Sequence, residues 1–193
     1  MFTALLDTCV LWPSLQRDFL LSLAVEGMYR PVWSSVILEE LEYEEAAKLI
    51  SRGETEDAAR GRARRLIDVM AGAFTDALVS GWEPLEGTYG LPDPNDEHVV
   101  AAAFVANAGV IVTHNVKDFP CGKVPGHIEV LEPHEFAFNT VALSPTRALG
   151  AVDAIVDRSG RRGGPLTVSA ILDKLETRYG MERVVELLRQ ASA

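Results

Sequence analysis

Asp7 stands directly after the short apolar run Thr3-Ala4-Leu5-Leu6, and Asp118 follows closely on a second one, Val110-Ile111-Val112-Thr113. Runs this apolar read as strands buried on both faces. In an open parallel α/β sheet, ligands bind beyond the carboxyl ends of the strands, so both carboxylates fall on the edge where chemistry is done. Asp96 lies in the first turn of the Ala-rich helix that precedes the second run. A fourth candidate comes from the acidic helix that Ser34 or Ser35 would cap. There Ile37, Glu40, Leu41 and Glu44 share one face at helical spacing, whereas Glu39, Glu42 and Glu45 are expected in solvent. A carboxylate on an apolar stripe is drawn toward the core, where an unpaired charge is costly; Glu40 is therefore the candidate and Glu44 the next choice. Taken singly, Asp96 could serve a helix dipole and Asp7 could cap the following helix. Their convergence on one edge is what points to a site.

Carboxylates that face one another repel, and would take up protons or destabilise the fold unless a cation offset them. An all-oxygen set suits Mg²⁺ or Mn²⁺ and not Zn²⁺. The four histidines, His98, His114, His127 and His134, lack tight spacing and cysteine companions, so they are expected at the surface or in structural roles. His114 is the best placed of them and is assigned none. The chain has no glycine-rich phosphate loop, which excludes the nucleotide-cofactor enzymes that depend on one. A phosphotransferase of the haloacid-dehalogenase type would need a second aspartate two residues after Asp7; that position is Cys9.

The elements that position these residues alternate between strand and helix. The first strand leads to a helix over 13–28, a short extended segment at Val32-Trp33, a helix from Ser34 or Ser35, and a longer helix over 54–80 after Gly53. In Leu91-Pro92-Asp93-Pro94, Asp93 can cap and Pro94 can take the first helical position of a helix running to about Asn107. A third strand at Ile128-Glu129-Val130-Leu131 leads to a helix ending near Leu143. Fully apolar strands alternating with helices predict an α/β fold with a central parallel sheet covered by helices. A boundary falls at Ser144-Pro145, dividing a domain over 1–143 from a helical C-terminal extension over 144–193. Within the extension, 159–165 reads as a flexible, positively charged connector. Val168, Ile171, Leu172, Leu175 and Tyr179 then recur at the spacing of an amphipathic helix, and one more helix follows Gly180.

Composition narrows the class. The 193 residues carry a net charge of −10, and residues 1–143 hold 10 basic against 22 acidic side chains. That excludes a protein that coats nucleic acid through a broad basic field, but not an enzyme that grips it through bound metal. Arg60, Arg62, Arg64 and Arg65 form the densest basic cluster and read as a solvated helix face paired with nearby acids. Two cysteines, Cys9 and Cys121, are too few for a disulfide framework and point to a reducing compartment. Without a leader-like or long apolar segment, a cytoplasmic protein with no membrane association is expected.

Four strings occur in order: Leu5-Leu6-Asp7-Thr8, Ser35-Val36-Ile37-Leu38-Glu39-Glu40-Leu41, Asp93-Pro94-Asn95-Asp96-Glu97-His98-Val99-Val100-Ala101-Ala102-Ala103, and Val112-Thr113-His114-Asn115-Val116-Lys117-Asp118-Phe119. Over about residues 1–142 the chain resembles the PIN-domain ribonucleases, in particular the VapC-type toxins of toxin–antitoxin pairs. By position, Asp7, Glu40, Asp96 and Asp118 match that family's acidic quartet, Thr113 and Asn115 its polar residues at a strand end, and Asp93 an additional acid present in part of the family. The resemblance implies a PIN-like fold and Mg²⁺- or Mn²⁺-dependent hydrolysis of phosphodiester bonds in RNA. Asp7 and Asp96 would hold the ion, Glu40 and Asp118 would complete its cage or position water, and Thr113 and Asn115 would orient carboxylates. It further implies RNA as substrate, an antitoxin protein as partner, and a homodimer as a possible assembly. The long helix over 54–80 and the tail over 144–193 depart from the smallest members. The competing readings are a non-catalytic RNA- or protein-binding module and a stand-alone PIN-type nuclease without an antitoxin.

Overall fold

The computed structural model describes residues 1–160 and 164–192; Arg161, Arg162 and Gly163 of the expected basic connector lie outside the described residues. Along the chain the elements are β1 (Thr3–Leu6), α1 (Thr8–Leu11), α2 (Ser14–Val25), β2 (Arg30–Val32), α3 (Ser35–Ser51) and α4 (Glu56–Ala73). They continue with α5 (Glu97–Val105), β3 (Val110–Val112), β4 (Glu129–Leu131), α6 (Pro133–Leu143), α7 (Pro145–Arg158), α8 (Val168–Tyr179) and α9 (Glu182–Ala191). Single 3₁₀ turns sit at Glu83–Leu85, Pro94–Asp96 and Val116–Asp118.

The chain forms two compact units. One comprises Phe2–Trp12 and Pro31–Leu131 and contains the sheet, in the order β2-β1-β3-β4. Strand β3 pairs in parallel with β1 on one side and with β4 on the other. Leu5, Leu6, Ile111 and Val112 are fully buried, as apolar strands in a covered sheet must be. Helix α5 supplies the small side chains Ala101, Ala102 and Ala103, which let its backbone lie close to β1 and β3. Asn107, at φ 50°, then ends that segment in the left-handed region that Asn tolerates. In register, Leu6 lies opposite Val112, and the Asp7 N–H donates to the Val112 carbonyl at 3.1 Å. The pairing thus carries one residue past β1 and sets Asp7 beside Thr113.

The other unit comprises Met1, Pro13–Arg30 and Glu132–Ala193. In it α7 rests on α2 and α9, and α9 rests on α6 and α8. Ala148, Ala151, Val152 and Ile155 of α7, with Ile171, Leu172 and Leu175 of α8, are its buried faces. Ser144-Pro145 lies inside this unit, between α6 and α7.

Two helices are shorter than their patterns. Helix α4 stops at Ala73, because Phe74 leaves helical geometry and the chain turns to pair with Trp33. The Trp33 N–H donates to Ala77 O at 3.0 Å, and the Val79 N–H donates to Trp33 O at 2.9 Å. After Pro94 the chain forms a 3₁₀ turn first, with the Asp93 carboxylate accepting from the Asn95 N–H at 2.9 Å, and α5 begins only at Glu97.

Candidate active site

Asp7 is buried (7% exposed) at the end of β1 and caps α1. Its Oδ1 accepts from the Thr8 N–H at 2.6 Å. Its Oδ2 accepts from the Thr113 hydroxyl at 2.7 Å and from the Cys9 thiol at 3.2 Å. Burial, and after it the neighbouring Asp7 charge, push the Cys9 thiol up to about 12, so it stays protonated and donates. The backbone N–H groups of Asn115 and His114 in turn donate to Thr113 Oγ1 (3.0 Å) and Cys9 Sγ (3.3 Å). A buried carboxylate is tolerated here because its oxygens are satisfied.

Glu40 projects from α3 and is held by the Thr8 hydroxyl, which donates to its Oε2 at 2.6 Å. Its other oxygen lies 4.0 Å from Nε2 of His98, a buried residue of α5 whose Nδ1 meets the Ser34 hydroxyl at 3.1 Å. Burial holds His98 below the usual imidazole range, against the opposing pull of Glu40 and Asp7. Ser34 also caps α3, accepting from the Ile37 N–H at 3.1 Å. Glu40 is exposed, not drawn into the core as its stripe suggested. Ala46 and Leu49 carry the buried arc of α3 to the far side of Leu41, which leaves Glu40 and Glu44 at its edge. Glu45 falls inside that arc and is not solvated; it pairs with Lys48 with only 13% of its side chain exposed.

Asp96 ends the 3₁₀ turn before α5 and caps that helix without a side-chain cap bond. Its carboxyl is pushed up to about 6, by burial first and then by the charges of Asp7, Asp93, Asp118 and Glu40. All the acids proposed from sequence therefore act on this one group. Asp7, Glu40, Asp96 and Asn115 line one cavity of about 350 Å³, together with Thr8, Cys9, Trp12 and Glu44. Asp118, on the turn after β3, and Asp93, exposed before α5, do not line it and reach Asp96 through charge. Thr8, Cys9, Trp12, Ser34 and His98 were not singled out by residue type; adjacency to Asp7 marks the first two, and the capping position marks Ser34.

Among the described residues, no three acidic, imidazole or thiol groups converge closely enough to form a ready cage for a metal ion. The donor set nevertheless fits a hard cation in kind, being all oxygen. Mg²⁺ keeps several waters and commonly takes only one or two protein carboxylates, and a cation at Asp96 would offset both the burial and the repulsion that raise its pKa. Arg60, Arg62 and Arg64 pair with Glu56, Glu54 and Glu42 respectively, as expected of a solvated helix face. No helix among the described residues is long and apolar enough to cross a membrane.

The sequence profile of the PIN domain matches residues 3–117. The chain belongs to the PIN domain family. The parallel α/β sheet, with Asp7 and Thr113 at its carboxyl edge, is the PIN-like fold that the four strings implied. The chain is also similar to a Mycobacterium tuberculosis protein named "Putative ribonuclease VapC50", 40% identical over 85 residues, which are 42% of this chain and 47% of that protein. The match thus spans about half the length of this curated relative. No solved structure matches the chain.

Proposed function

We propose that this PIN-domain protein is a metal-dependent endoribonuclease and the toxin of a toxin–antitoxin pair. The observation that carries the reading is the convergence of Asp7, Glu40 and Asp96 on one cavity, where burial first, and then the charges of Asp7, Asp93, Asp118 and Glu40, push the Asp96 carboxyl up to about 6. Repulsion of this kind at a strand-end cavity is what a bound cation would offset, which supports the metal-dependent reading. Similarity to a protein whose name says ribonuclease supports RNA as the substrate. The resemblance to VapC-type toxins supports an antitoxin protein as partner.

In this reading Asp7 and Asp96 would hold Mg²⁺ or Mn²⁺, and Glu40 and Asp118 would complete the charge around it. The bound ion would lower the pKa of water and neutralise charge on the attacked phosphodiester. Thr113 and Cys9 fix the Asp7 carboxylate by donating to Oδ2. Thr8 fixes Glu40, which lines the cavity together with Asp96. Asn115 borders the same cavity, and its N–H holds the Thr113 hydroxyl in place. Asp93 adds negative charge beside Asp96 while capping the turn.

The test is cleavage of a single-stranded RNA by wild type, Asp7→Asn and Asp96→Asn, each with Mn²⁺ and with chelator. Cleavage by wild type only in Mn²⁺, and by neither variant although both stay folded, is the expected result. Full cleavage in chelator, or by either variant, overturns the assignment. The partner is tested by the genes beside this one: a small protein encoded directly upstream should bind this chain and suppress cleavage on co-expression, and the absence of such a gene would favour a stand-alone nuclease.

A further inference from the structure

Trp12 is 39% exposed, whereas Trp33 and Trp82 are 0% and 3% exposed. It lines the same cavity as Asp7, Glu40 and Asp96. The ring is held in place: the Lys48 ammonium lies over it, 5.3 Å from its centroid, and also donates to the Trp12 carbonyl at 3.4 Å. Such a cation–π contact fixes an aromatic plane. Glu45 pairs with Lys48 and neutralises it in turn, so the lysine anchors the ring without making a phosphate-binding charge.

Four of the residues lining this cavity are acidic, Asp7, Glu40, Glu44 and Asp96, and none of those described is basic. A polyanion gains nothing electrostatic from such walls. Apart from what a bound cation would supply, the affinity that brings a nucleic acid to these walls must come from a contact indifferent to charge. An exposed, immobilised indole is such a contact, because every base has a π-face and stacks on aromatic side chains. A base inside a duplex has both faces covered, so an aromatic platform selects unpaired nucleotides.

We propose that Trp12 is a nucleobase subsite: it stacks one unpaired base of the substrate and sets the adjoining phosphodiester beside the carboxylates. The proposal rests on the nuclease reading for the identity of the substrate, and its test separates the two. Because Trp12 is the exposed indole, its fluorescence reports stacking directly and needs no cleavage. The probe is a mixed-sequence single-stranded oligoribonucleotide of four to six nucleotides, added to the full chain in chelator, with the same sequence held as duplex in the stem of a hairpin for comparison.

The expected result is saturable quenching by the single strand, little by the duplex, and none of that quenching in Trp12→Phe. In steady-state cleavage with Mn²⁺, Trp12→Ala should raise KM roughly five- to 150-fold, the range that stacking of one base supplies. Trp12→Phe should recover most of that loss, and the effect should fall on KM far more than on kcat. Quenching without any cleavage by wild type would keep the subsite and remove the nuclease reading. Cleavage by wild type without quenching, quenching that persists in Trp12→Phe, or an unchanged KM in Trp12→Ala would each overturn the subsite.

Discussion

The Thr113 hydroxyl, one residue past β3, donates to Asp7 Oδ2 at 2.7 Å, one residue past β1. The two residues are far apart in sequence and meet because β1 and β3 pair in parallel with Leu6 opposite Val112. Thr113 is itself fully buried and accepts from the Asn115 N–H. The hydroxyl therefore cannot turn away without leaving a donor unsatisfied. Sheet register thus sets the direction in which the Asp7 carboxylate points.

Thr113→Val tests this. Valine keeps the shape but removes the donor to Asp7 and the acceptor for Asn115. Leaving buried partners unsatisfied costs about 1–3 kcal/mol. At about 2–4 °C per kcal/mol for a chain of this size, a fall of several degrees in melting temperature is expected, together with weaker Mn²⁺ binding. Calorimetry checks both. An unchanged Mn²⁺ affinity would mean that Asp7 is oriented without Thr113.

The raised pKa of Asp96 makes a signed prediction about pH. Its folded value of about 6 lies above the 3.8 of an unperturbed aspartate, so between these limits the folded state binds more protons than the unfolded one. Stability then falls as pH rises across that window. Asp96→Asn lacks this contribution. In chelator the variant should match wild type near pH 4 and exceed it above pH 6, by about 1 kcal/mol once solvent screening is allowed for. Chemical denaturation at a series of pH values measures the difference; a gap that does not widen between pH 4 and 6 would contradict the raised pKa.

Much of this site was legible in the residues. Asp7 and Thr113 sit where apolar strands end, so their place on one edge followed from the strands and the parallel sheet. Glu40 was reached by helical spacing, though for an incomplete reason. The stripe was centred on Ile37 and Leu41 alone, and only the buried Ala46 and Leu49 show that the covered arc extends toward Glu45. Small residues such as Ala46 carry little periodic signal, and burial by tertiary contact decides for them. The end of α4 was hidden for a related reason. Phe74 to Val79 have no helix breaker, and what stops the helix is the Trp33 backbone, distant in sequence, offering hydrogen bonds. The His98–Ser34 contact joins α5 to the cap of α3 and leaves no pattern within either segment.

Removal of residues 144–193 addresses the second unit. Helices α7 and α9 cover faces of α2 and α6, so a chain ending at Leu143 leaves those faces bare. Large exposed apolar patches promote association. The shortened chain should aggregate or bind a hydrophobic dye while any soluble fraction retains Mn²⁺-dependent cleavage, since every residue assigned to the site lies before Leu143. Light scattering and a cleavage assay on the monomeric fraction check this. A folded, monomeric but inactive chain would place part of the chemistry in the tail.

Metal binding should stabilise the fold through the same acids. An ion that binds the folded cavity and hardly the unfolded chain adds about 2.7 kcal/mol at 100 times its Kd, or roughly 5–10 °C in melting temperature for a chain of this length. Asp96→Asn removes one charge at nearly constant shape. It should melt higher than wild type in chelator at neutral pH and gain much less from Mn²⁺. The competing role for Asp96 is service to the helix dipole of α5, whose loss would lower stability by about 0.3–1 kcal/mol. That role predicts the opposite sign in chelator and leaves the Mn²⁺ gain intact. The absence of a side-chain cap bond from Asp96 to the described backbone of α5 favours the first outcome. Two pairs of melting curves decide it, wild type and variant, each with chelator and with Mn²⁺. A variant that melts lower in chelator, and rises as far as wild type in Mn²⁺, takes Asp96 out of the metal site.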